Sequence, residues 1–291
     1  MQDLIDLDAP MDTPQAPKRL RAETLAADTT TVGASDFTPC PGFGTPSLAH
    51  EMLEMLEPGR LIAIGILQIL MVVITIPRNF ERAKETVSQA AKVLYFNEDT
   101  FAIAQSVDGQ QYEMPGKHAL FLFYRDILLP QLPKRYPKAT HFLFLEDDVR
   151  LEPSLGQYLH GSTTHFARLL HMASEFTKPI ILLGYNRKEI TIRFNHRKPD
   201  FGMHLWFTSA AMLPILAGLL RGAPLEHIDI YLLRRYHNLI GYSNYSIAGF
   251  MEHASDCADS YDKSPTYLPF NDMKLSLTET FSDVRPNILL N

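Results

Sequence analysis

The feature that most constrains this chain is one apolar run, Leu61 to Pro77, LIAIGILQILMVVITIP. It is shorter than the roughly 20 residues a membrane-spanning helix needs, and it contains Gln68 and Thr75. Its second half, LMVVITI, is β-branched, and such side chains favour a pleated surface over a helix. The run therefore predicts a strand buried on both faces, as in a parallel sheet, and no stable membrane insertion.

Beyond Pro77 the chain alternates between helix and strand patterns. Arg78 to Lys92 keeps helical spacing through Phe80, Ala83, Val87 and Ala91. Val93 to Phe96 reads as a second strand, Lys117 to Leu132 as a helix closed by Pro133, and His141 to Leu145 as a third strand. Leu155 to Phe176 has the pattern of a long amphipathic helix. Pro179 to Leu183 and Ile190 to Phe194 read as strands, and Ser209 to Leu220 and Ile228 to Tyr236 as helices. Before the apolar run, Ser47 to Leu56 reads as a short helix stopped by Pro58-Gly59. The fold class expected is α/β with a mostly parallel central sheet.

Residues 1 to about 46 hold six of the twenty prolines and almost no apolar periodicity. Such a segment cannot bury enough surface to order itself, so a disordered tail is expected, followed by a single domain over 47–291. A net charge of −6 supplies no global basic field for nucleic acid, so no nucleic-acid partner is expected. Cys40 and Cys257 match no metal or disulfide spacing, which fits a reducing compartment. The start of the chain lacks the layout of a signal peptide. A cytoplasmic location is the expectation, with Pro17-Lys18-Arg19-Leu20-Arg21 as a weak nuclear-import signal.

The sharpest chemical signal is His141-Phe-Leu-Phe-Leu-Glu146-Asp147-Asp148, an apolar run ending abruptly in three acids. Ligands of open α/β sheets bind beyond the carboxyl ends of strands, which is where these carboxylates would lie. Side chains alternate along a strand, so Glu146 and Asp148 can point one way and Asp147 another. Adjacent carboxylates repel one another unless a cation neutralises them, and hard oxygen ligands suit Mg²⁺ or Mn²⁺ bridging to substrate phosphates. The plain alternative is a solvated strand end with its acids in water.

The run FLFLEDDVRL resembles the metal motif of glycosyltransferase family 25, the lipooligosaccharide and procollagen galactosyltransferase family, which has a GT-A fold. Other segments resemble that family in the same order: VVITIPRNFERAKE, PGKHALFLFYRDIL, PIILLGY, Met203 to Ala211, and Leu225 to Asp229. Together they span about residues 70 to 235. The chain departs from the family at Met114-Pro115-Gly116-Lys117-His118, where a Gly-Cys would precede a Ser-His.

The resemblance implies metal-dependent transfer of galactose or glucose from a UDP-sugar to an acceptor hydroxyl. In that reading Glu146 and Asp148 hold Mn²⁺ or Mg²⁺, and Asp147 contacts the ribose or the donor sugar. Arg78 and Arg82 would pair with the diphosphate, or else simply begin a solvated helix. Gly184 would admit the donor close to the backbone, or else make a plain turn. If the reaction inverts, Asp229 is the candidate base, with Glu226 in reserve; otherwise Asp229 is an N-cap. His253, in FMEHASDCADS, resembles the C-terminal histidine that completes the metal site in several GT-A enzymes, although Glu252 stands where that pattern has Gln. The acceptor, whether glycan, protein side chain or modified nucleobase, stays open. Two rival readings are a catalytically inactive GT-A-like binding protein and a sugar-nucleotide nucleotidyltransferase. The second would want a Gly-rich loop where this chain has Pro77-Arg78-Asn79.

Overall fold

A computed structural model describes residues 46–151, 163–186, 201–243, 248–250 and 281–283. Residues 1–45 of the proposed tail, with Cys40 and the basic cluster at 17–21, the strand at Ile190 to Phe194, His253 and Cys257 all lie outside the described residues.

The apolar run folds as a hairpin, not a helix. Strand β1 (Glu54–Glu57) precedes β2 (Ile62–Ile64), which turns at Gly65 (φ 58°) into β3 (Leu67–Thr75), antiparallel to it. Glycine suits that left-handed turn because it carries no Cβ. Along β3, Ile69, Met71 and Val73 face one apolar core while Leu70, Val72 and Ile74 face another. This is the two-sided burial that its unbroken apolar sequence requires. No helix among the described residues is long and apolar enough to cross a membrane.

The remaining elements run in chain order: α1 (Phe80–Leu94), β4 (Phe101–Gln105), α2 (Gly116–Leu122), a π-helical segment (Phe123–Leu128), α3 (Leu129–Arg135) and β5 (His141–Glu146). Next come β6 (Val149–Leu151), α4 (Thr163–Glu175), β7 (Ile180–Asn186), β8 (Phe201–Ser209), α5 (Met212–Leu220), α6 (Ile228–Arg235), β9 (Ile240–Ser243), β10 (Ala248–Phe250) and β11 (Phe281–Asp283). The nine-stranded sheet has the order β1-β4-β3-β5-β8-β7-β9-β11, with β2 paired to β3. Strands β3, β4, β5, β7 and β9 run one way, and β8 lies antiparallel between β5 and β7. Helices α2, α3, α5 and α6 cover one face, and α1 and α4 the other. The architecture is the α/β frame expected from the sequence, with a mostly parallel core.

Two local expectations are corrected. Ser47 to Leu56 is not a helix: Asp126 accepts the Leu48 N–H at 2.9 Å and Gln131 accepts the Leu53 N–H at 2.8 Å, and β1 then pairs with β4. Side chains from distant helices satisfy this backbone in an extended path, which outweighs a weak local propensity. Val93 to Phe96 is not a strand either. The first two residues finish α1, Tyr95 turns left-handed (φ 57°), and the Phe96 N–H returns to the Ala91 carbonyl at 3.0 Å. The second parallel strand is β4. Pro133 falls inside α3, two residues before its end.

Candidate functional site

Register brings the site together. Parallel pairing sets Ile74 of β3 level with Glu146 of β5, and Thr75 level with Gln105 of β4, so the carboxyl ends of all three strands share one edge. At that edge the apolar strand β5 ends on Glu146, and Asp147 and Asp148 make the turn before β6.

The three carboxylates part company there. Asp147 turns toward α1: its Oδ2 accepts from Thr75 Oγ1 at 2.5 Å and its Oδ1 from Arg82 Nη2 at 2.6 Å. Its carbonyl accepts from Thr86 Oγ1 at 2.7 Å. Burial still holds the Asp147 carboxyl above the ordinary range, against the pull of Thr75 and Arg82. Glu146 points to the opposite face, where its Oε2 lies 3.2 Å from Nδ1 of the buried His204. That is the alternation expected of a strand end.

Asp148 is buried (6% exposed), and its Oδ1 has no hydrogen-bond partner among the described residues. Burial, then the charges of Glu146 and Asp147, pushes its carboxyl up to about 7. A buried oxygen left without a partner is costly and calls for an explanation. No three His, Cys, Asp or Glu side chains among the described residues stand ready to cage a metal. Sites for Mg²⁺ and its like need less, commonly one or two carboxylates with the substrate's phosphates completing the shell. Glu146 and the orphaned oxygen of Asp148 fit that description; Asp147, already held by Thr75 and Arg82, does not.

The other candidates take these places. Arg78 lies 3.5 Å from Asp108, which is in the loop after β4, and Arg78 itself is two-fifths exposed. Arg82 belongs to Asp147. Gly184 sits at an irregularity of β7 opposite Leu205, the residue next to His204. His227 occupies the N-cap of α6, so Asp229 is the second residue of the helix and not its cap. Glu226 lies 3.8 Å from Arg234.

Two residues of the site were missed in the sequence. One is His204. The other is Tyr124, in the π-helical segment, buried with its ring 6.2 Å from that of Trp206. Burial and then the charge of Glu146 raise its hydroxyl well above the ordinary tyrosine value, and Asp229 adds to the effect. Glu146 and Asp229 therefore act on the same buried hydroxyl from different elements. A π-helical turn often marks a functional site, but its wider hydrogen bonding leaves no signature in the residues Phe123 to Leu128.

The raised carboxyl gives a pH-dependent expectation. In the unfolded chain Asp148 titrates near 3.9. Between that value and about 7 the folded state holds the extra proton, so stability contributed by this group rises as pH falls from 7 toward 4. The ionisation penalty is fully present above pH 7. In chelator at pH 8, Asp148→Asn should therefore melt higher than wild type, by on the order of 5–10 °C for a few kcal/mol. The gap should close toward pH 5. Identical melting of the two proteins at both pH values would show that the carboxylate carries no such penalty.

No protein-family model matches the chain, and no curated protein does. Among solved structures, the crystal structure of a glycosyltransferase involved in the glycosylation of the major capsid of PBCV-1 is similar at 17% identity and a TM-score of 0.38. The match covers 58% of this chain and 75% of that one. At that level of likeness the function rests on this chain's own residues.

Proposed function

We infer that the chain is a metal-dependent glycosyltransferase that moves a hexose from a UDP-sugar to an acceptor hydroxyl, in the manner of glycosyltransferase family 25. The observation that carries this reading is the buried Oδ1 of Asp148, without a hydrogen-bond partner among the described residues and set beside Glu146 at the carboxyl edge of the parallel strands. In this reading Glu146 and Asp148 hold Mn²⁺ or Mg²⁺, and His253 completes the set. The bound ion supplies charge compensation for the departing nucleoside diphosphate. Arg78, part-exposed at the same edge, pairs with the diphosphate. Asp147 reaches the donor ribose only by giving up a bond to Thr75 or Arg82, so its first task is to lock the turn that aims its two neighbours. Asp229, within electrostatic reach of the hydroxyl that also feels Glu146, takes the acceptor's proton if the reaction inverts.

A second reading, a non-catalytic relative that only binds, draws on the lack of a ready three-ligand cage among the described residues. A donor-hydrolysis screen separates the two, because transferases commonly hydrolyse their donor slowly when no acceptor is present. With Mn²⁺, hydrolysis of UDP-galactose or UDP-glucose to UDP should be faster than that of GDP-sugars to GDP or CMP-sugars to CMP, and chelator should stop it. No release from any donor would favour the binding protein.

A further inference from the structure

Strand β8 runs antiparallel to β5 with Phe144 opposite Trp206 and Leu145 opposite Leu205, so the next rung sets Glu146 against His204. Two rungs earlier, on the same face, the pair is aromatic: Phe144 and Trp206 stack at 4.2 Å between ring centroids, both on the core face that carries α2, α3, α5 and α6. The sheet thus ends in a polar cross-strand pair built on a buried aromatic one, and such directly opposed pairs hold side chains in register. His204 is 3% exposed, whereas the Glu146 side chain is 30% exposed. The histidine is therefore the enclosed member of the pair and the acid the solvent-facing one.

We propose that His204 is a positioning residue that pins the Glu146 carboxylate in the orientation needed to hold a divalent cation together with Asp148. An ionised carboxylate can only accept, so the 3.2 Å contact requires the proton on Nδ1 of His204, pointing at Oε2. With Oε2 engaged, Oε1 is the oxygen left for the cation. Without the imidazole, a glutamate at an open strand end is free to turn into solvent, away from Asp148. Hydrogen-bonding partners behind metal ligands commonly govern affinity by 10–100-fold. This inference rests on the metal-dependent reading of the site.

The test is calorimetric titration of Mn²⁺ alone into wild type, Asp148→Asn, His204→Leu, His204→Asn and His204→Gln, with melting of each in chelator. An asparagine amide nitrogen falls near the place of Nδ1, and a glutamine amide nitrogen near that of Nε2. His204→Leu should bind Mn²⁺ about 10–100-fold more weakly while melting no lower than wild type. His204→Asn should recover most of the affinity and His204→Gln should not. Should His204→Leu fail to fold, the Asn and Gln pair still decides. Wild-type affinity in His204→Leu, or no difference between Asn and Gln, would overturn the positioning role. If wild type and Asp148→Asn both ignore Mn²⁺, the metal reading fails, and this inference with it.

Discussion

Arg125→Met should lower the free energy of unfolding by about 3 kcal/mol, the lower end of the cost of breaking a buried ion pair from one side, because Asp126 is only partly buried. Arg125 is 4% exposed and grips Asp126 with two bonds of 2.7 Å, from Nε and Nη2. Nη2 also donates to the Pro46 carbonyl at 2.5 Å, while Asp126 Oδ2 accepts the Leu48 N–H. The pair is thus the clasp that holds residues 46–48 to the π-helical segment between α2 and α3. Burial raises the Asp126 carboxyl, yet the Arg125 and Leu48 hydrogen bonds outweigh it and leave the group below its ordinary range. Its contribution is present above the unfolded pKa and is lost as pH falls through the lower, folded one. Urea denaturation at pH 7 measures the effect, and a double-mutant cycle with Asp126→Asn should return a coupling well above that of a surface pair. A loss below about 1 kcal/mol, the range of exposed ion pairs, would contradict the clasp.

The clasp also shows where the sequence could and could not be read. Strands β3 and β5 were legible because each is an apolar run ended by an unmistakable stop, Pro77 in one case and three acids in the other. The segment at Ser47 to Leu56 was misread because its local spacing is helical, while the groups that decide its path, Asp126 and Gln131, lie 78 residues away. The same distance effect hid His204. Nothing near Met203-His204-Leu205 names a partner, and only the antiparallel register of β8 on β5 brings Glu146 to it across 58 positions. Alternation along a strand correctly divided Glu146 from Asp147. It could not foresee that Thr75 and Arg82 would engage Asp147, because that depends on how α1 packs beside the strand end.

The larger functional effect is expected at Asp148. Glu146, Asp147 and Asp148 crowd negative charge at one sheet edge, and a nucleoside diphosphate brought there without a cation is repelled. A divalent ion between them reverses the sign, so affinity for UDP should depend on the metal by well over 100-fold, more than about 2.7 kcal/mol. Removing the Asp148 carboxylate takes away the buried oxygen that has no hydrogen-bond partner among the described residues. It also relieves like-charge repulsion, so the fold should survive the change while metal-dependent binding is lost. Asp148→Asn should behave as Asp148→Ala does, because the amide keeps the shape but not the charge that holds the ion.

The most direct measurement is calorimetric titration of UDP into wild type and Asp148→Ala, each with Mn²⁺ and each with chelator. The metal reading expects tight binding in one of the four conditions, wild type with Mn²⁺, and little or none in the other three. Equal binding in all four, or none in any, would contradict a site in which Glu146 and Asp148 hold a cation for a nucleotide-sugar.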